Sequence, residues 1–121
     1  MSKKVMIVDD DPTIVRLVRN ILESGGYEVA EAVDGLDALA KIKSAAPDVI
    51  VLDIVMPEIN GYDVCCELRF NKDYAKIPIV ILSETDREID DVLGERVNIE
   101  YLSKKDDLTL IIGKIEKLLS E

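Results

Sequence analysis

Three aspartates, Asp9, Asp10 and Asp11, follow the apolar run VMIV at residues 5–8. A single Asp53 follows VIVL at 49–52, Ser83 follows IVIL at 79–82, and Lys104 follows IEYLS at 99–103. One polar residue after an apolar run can simply begin a loop. Acids, a hydroxyl and a lysine after four such runs form a pattern. Carboxylates brought close together repel and raise one another's pKa. A hard divalent cation with oxygen ligands relieves that repulsion, and a site that keeps several waters suits Mg2+. Ser83 and Lys104 would then face an anion on the far side of the metal. A carboxylate, a metal, a hydroxyl and a lysine make a phosphoryl-transfer site, in which an aspartate can be the covalent nucleophile.

That chemistry needs elements that bring the four run ends together. Asp11-Pro12 reads as an N-cap and first helical position, with Ile14, Val15, Val18, Ile21 and Leu22 at helical spacing and Gly25-Gly26 as the stop. Residues 28–31 make a weaker, partly alternating strand, and Leu36 to Ala46 an Ala-rich helix closed by Pro47. A helix is expected from Gly61 to about Asn71, and a short one over Arg87 to about Leu93. From Asp107 to Leu119 an amphipathic helix carries Leu108, Ile111, Ile112, Ile115 and Leu119 on one side.

Strands alternating with helices imply a parallel sheet. Continuous apolar strands need cover on both faces, so the first, third and fourth strands are central and the mixed second and fifth are edges. The expected fold is α/β: a three-layer, doubly wound, flavodoxin-like domain, with five parallel strands in the order 2-1-3-4-5 and five helices. Ligands of such sheets bind beyond the carboxyl ends of the strands, which is where the polar residues stand.

At these residues the chain resembles the response-regulator receiver domains of two-component signalling, over essentially its whole length. The resemblance rests on Asp9-Asp10 after the first strand, Asp53 within LDIVMPEINGYDV, Ser83 ending PIVILS, and Tyr101 with Lys104 in EYLSK. It implies that Asp53 accepts a phosphoryl group from a histidine kinase or phosphotransfer protein. It implies Mg2+ held by Asp10, Asp53 and the backbone carbonyl of Val55, with help from Asp9. Lys104 would contact the phosphoryl oxygens and Ser83 would hydrogen-bond to them. Tyr101 would then swing inward, coupling the chemistry to the face of the fourth helix, fifth strand and fifth helix. Pro57 and Gly61 would shape the loop after Asp53. Two positions depart from the family's habit: Glu84 where a small residue is usual, and Lys105 where proline is usual. They suggest a matched pair of opposite charges at the rim of the site.

Two other readings stand beside this one. MIVDDDPT fits the hydrophobic-run-Asp-x-Asp-x-Thr pattern of haloacid-dehalogenase-like phosphatases, with Asp9 as nucleophile, Asp11 and Thr13. Pro12 replaces the usual glycine there, and LDIVMPEING would have no role. The third reading is a receiver fold that acts as an interaction module independently of phosphate.

Composition narrows the setting. The chain has 121 residues, enough for one domain, here a receiver over 1–121, with a buried core. Hydrophobic residues are 48% and aromatics 4%, so the core must be aliphatic. A net charge of −10 disfavours direct contact with nucleic acid or an anionic membrane. MSKKVMIVDD lacks a signal-peptide core, and no apolar run approaches the ~20 residues of a membrane span. Cys65 and Cys66 are adjacent and there is no histidine, which argues against a disulfide or zinc and for the cytoplasm. The expectation is a stand-alone switch rather than an enzyme with a separate substrate, catalysing only its own aspartate phosphorylation and dephosphorylation. Its output would be a protein contact, with a phosphorylation-dependent homodimer left open.

Overall fold

The structure, a computed structural model, describes residues 3–53, 72–74, 76–83 and 99–120. Five strands form one sheet: β1 Lys4–Val8, β2 Glu28–Ala32, β3 Val49–Asp53, β4 Ile79–Ser83 and β5 Ile99–Ser103. All pairings are parallel and the order is β2-β1-β3-β4-β5, as the apolar pattern predicts. The described helices are α1 Pro12–Ser24, α2 Gly35–Ala45 and, after a single 3-10 turn at Leu108–Leu110, α3 Ile111–Leu119. The two helices expected after Gly61 and at Arg87 lie outside the described residues. Among the described residues no helix is long and apolar enough to cross a membrane.

The period of two in each strand divides the core. Met6, Val8, Ile50, Leu52, Ile79 and Ile81 pack with Ala38 and Ile42 of α2 on one face. Val5, Ile7, Val49, Val51, Val80 and Leu82 pack with Val18 and Leu22 of α1 and Ile111, Ile115 and Leu118 of α3 on the other. Both faces of β1, β3 and β4 are therefore dry, which is why their sequences are unbroken apolar runs. Each fully buried aliphatic side chain contributes about 1.5–3 kcal/mol, so the sheet centre is the rigid frame from which the site residues project.

Local chemistry sets the connections. Asp11 is the N-cap of α1: its carboxylate accepts the Thr13 N–H at 2.9 Å, with Pro12 in the first turn. After α1 the chain turns through Gly26 at φ 90°, a left-handed value that suits glycine. Asp34 caps α2 by accepting the Asp37 N–H at 2.8 Å, and Ala46 ends it in the left-handed region. The last helix departs from expectation. Asp107 accepts from the Thr109 N–H and hydroxyl, holding residues 108–110 in a 3-10 turn. The α-helix starts at Ile111; Ile111, Ile115 and, beyond the expected stripe, Leu118 are buried, while Leu108, Ile112 and Leu119 pack half-buried against the same core.

Candidate functional site

Parallel register places the ends of β1 and β3 side by side, with Val8 opposite Leu52. Asp9 and Asp53 therefore emerge together at the carboxyl edge of the sheet centre. They are 2% and 4% exposed, while Asp10, one residue further out, is exposed. Carboxylate oxygens of Asp9, Asp10 and Asp53 all lie within 4.8 Å of one another. The sequence places these three acids together, and the structure does so too.

Asp9 is held firmly. Its backbone N–H donates to the Ala32 carbonyl at 3.2 Å, and its Oδ1 accepts the Asp11 N–H at 2.9 Å. Its Oδ2 is buried and accepts no well-formed hydrogen bond among the described residues. Lys104, just past β5, reaches across β4 to this edge. Its Nζ lies 3.2 Å from Asp9 Oδ2 and 3.4 Å from Asp53 Oδ1, and its side chain is 13% exposed. The ammonium brings positive charge to Oδ2.

Burial is the chief reason the Asp9 carboxyl titrates above its ordinary range. The Asp11 N–H and Lys104 pull it down, and repulsion from Asp10 adds a smaller upward push. The sequence-based expectation assigned that rise to mutual repulsion, but desolvation is the larger cause. For Lys104, burial pulls the ammonium down, yet the charges of Asp9 and Asp53 outweigh it and hold the pKa above its usual value.

Among the described residues, three carboxylates face one ammonium here, a formal charge of −2. A divalent cation neutralises that charge. Oxygen donors only, one of them a buried oxygen without a hydrogen bond, fit a hard cation such as Mg2+.

Other predicted residues divide. Tyr101 pairs in register with Ile81, is half-buried and packs against the core on the α2 side. Ser83 ends β4, opposite Ser103 of β5. Its side chain, with Val55, Pro57, Gly61, Cys65, Cys66 and Glu84, lies outside what the structure describes. The Lys104–Lys105 peptide is trans, as expected for a chain without proline there. Asp11 caps α1 and is not a member of the acid cluster, which counts against the phosphatase reading. Sequence reasoning missed the double ion pair of Lys104. The one available signal was the edge position of β5, which leaves a long side chain free to cross β4.

The family model for the response regulator receiver domain matches residues 5–116. The alkaline phosphatase synthesis transcriptional regulatory protein PhoP of Bacillus subtilis is 42% identical over 105 residues, covering 86% of this chain and 43% of PhoP. Protein PilG of Pseudomonas aeruginosa is 37% identical over 114 residues, covering 93% of this chain and 84% of PilG. The chain thus spans under half of the first relative and most of the second. Among solved structures, the response regulator TrrA of Thermotoga maritima, in complex with Mg(2+)-BeF, superposes with a TM-score of 0.85 at 33% identity, covering 97% of this chain and 99% of TrrA.

Proposed function

The chain belongs to the response regulator receiver family, and from that membership we propose that Asp53 is the phosphoacceptor of a two-component signalling switch. The observation that carries this reading is the position of Asp53. It is a carboxylate almost without solvent at the end of a central strand, within 4.8 Å of two further acids and 3.4 Å from an ammonium.

In the proposed reaction an Asp53 carboxylate oxygen attacks phosphorus. The bond from phosphorus to the donor breaks, with the electron pair leaving on the donor's nitrogen or oxygen. The donor is a histidine kinase or a phosphotransfer protein. Asp9, Asp10, Asp53 and the Val55 carbonyl would hold Mg2+, which supplies positive charge to the phosphoryl oxygens. Lys104 is already poised beside Asp53 to pair with an incoming phosphoryl oxygen, and Ser83 would donate a hydrogen bond to it. Asp9, fixed by Ala32 and Asp11, keeps the acid cluster in register with β3.

Receiver domains are signalling proteins, and this one would catalyse only its own phosphorylation and dephosphorylation. Tyr101 would relay the change to the face of the helix expected at Arg87 to about Leu93, β5 and α3, where a downstream protein or a second copy of the chain would bind. A cytoplasmic location, and signalling without direct contact to nucleic acid or membrane, complete the proposal.

The experiment is incubation with Mg2+ and a small phosphodonor, followed by mapping of the base-labile label. Label at Asp53, abolished in Asp53→Asn, is the expected result. Undiminished labelling of Asp53→Asn at another residue would exclude the mechanism, and label at Asp9 would revive the phosphatase reading.

A further inference from the structure

Lys104 has a long, flexible side chain, yet it must meet Asp9 and Asp53 at once. Something has to fix its backbone. Ser103, the last residue of β5, is 8% exposed and sits in register with Ser83 of β4. Both its oxygens hold the turn that follows. The Lys105 N–H donates to Ser103 Oγ at 3.2 Å, and the Asp106 N–H donates to the Ser103 carbonyl at 3.1 Å. Lys104 lies between these two closures.

A proline at position 105 would have no N–H and would restrict the backbone by its ring. Lys105 has neither property. Its N–H, partly buried, needs a partner, and its φ is free to vary. The Ser103 hydroxyl answers both needs, because one hydrogen bond satisfies the donor and fixes the turn.

We infer that Ser103 is a positioning residue for Lys104: its hydroxyl, by holding the Lys105 N–H, aims the Lys104 ammonium at Asp9 and Asp53. The inference rests on the phosphoacceptor reading for its effect on rate, and on the ion pairs alone for its effect on structure.

The test uses the full chain at saturating Mg2+ and compares initial rates of Asp53 labelling by a small phosphodonor. Ser103→Ala should slow labelling about fivefold, the scale of one ordinary hydrogen bond. Ser103→Thr, which keeps the hydroxyl, should stay within about twofold of wild type by the same reckoning. In a Lys104→Ala background, Ser103→Ala should have no further effect on the residual rate, because the serine acts through the lysine. In parallel, the Lys104 ammonium resonance of the metal-free protein should be defined in wild type and in Ser103→Thr, and broadened or shifted in Ser103→Ala. A wild-type rate in Ser103→Ala, or equal slowing with and without Lys104, overturns the inference. Should wild type take no label at Asp53, the phosphoacceptor reading fails by itself and the resonance decides. An unchanged Lys104 signal in Ser103→Ala then overturns the positioning role, and a disturbed one upholds it.

Discussion

Two clusters of charge stand on the same sheet and differ in almost every physical respect. At the β2 edge, Arg19 of α1 pairs with Glu23 at 3.4 Å and with Glu31 of β2, and Arg19 and Glu31 are 39% and 41% exposed. At the centre, Asp9 and Asp53 are almost dry, and Lys104 lies between them. The hydrogen bond that Arg19 donates to Glu31 is the main cause of its raised pKa, so the edge cluster favours its own charges. Burial is the main cause of the raised Asp9 pKa, so the central cluster holds a charge against its solvation preference. Water is the difference. The edge pairs are solvated, whereas the central set gathers buried carboxylates in excess of the ammonium that faces them.

The largest expected effect comes from removing the Lys104 ammonium, the cation that the described residues place at the centre. Lys104→Met removes the ion pairs to Asp9 and Asp53, and breaking a buried pair costs about 3 kcal/mol or more. Urea unfolding without metal should report that loss, and added Mg2+ should recover part of it. Unchanged stability in Lys104→Met would mean that the central set is as well solvated as the rim.

Asp9→Asn should act in the opposite direction. A carboxyl group whose folded pKa lies above its ordinary value near 3.8 binds protons more readily folded than unfolded. Its charge therefore costs stability at neutral pH. That cost disappears as pH falls through the folded pKa toward the unfolded one. Metal-free Asp9→Asn should melt above wild type at neutral pH, and the gap should close on acidification. A gap that widens on acidification would mean that Lys104, rather than burial, dominates the Asp9 environment.

Arg19→Ala is the smallest effect. Exposed ion pairs contribute about 0–1 kcal/mol, so its melting temperature should move little and its Mg2+ response not at all. A larger loss would mean that the edge network is a structural clamp.

Much of this contrast is readable before any coordinates. Unbroken runs such as VMIV and VIVL imply strands buried on both faces, and that fixes which strands are central. The acids after those runs must then meet, because parallel strands end together. Asp11-Pro12 is legible as a cap because its chemistry is local. Features that depend on reach or phase are less legible. The ion pairs of Lys104 span β4 and depend on side-chain direction. Leu118 is buried with Ile111 and Ile115 at ordinary helical spacing although the expected stripe leaves it out, and the 3-10 turn at Leu108–Leu110 is not visible in the periodicity over Asp107 to Leu119. The cause of the Asp9 shift was misjudged because the depth of burial is a tertiary quantity.

The most direct test of the central site is the Mg2+-dependent melting temperature of wild type against Asp10→Asn. Asp10 is the exposed member of the acid cluster, so the substitution removes one carboxylate without opening a cavity. Millimolar Mg2+ should raise the wild-type melting temperature clearly, because a ligand that binds only the folded state stabilises it. The shift in Asp10→Asn should be much smaller. Equal shifts in the two proteins would contradict the assignment of Asp9, Asp10 and Asp53 as a cation site.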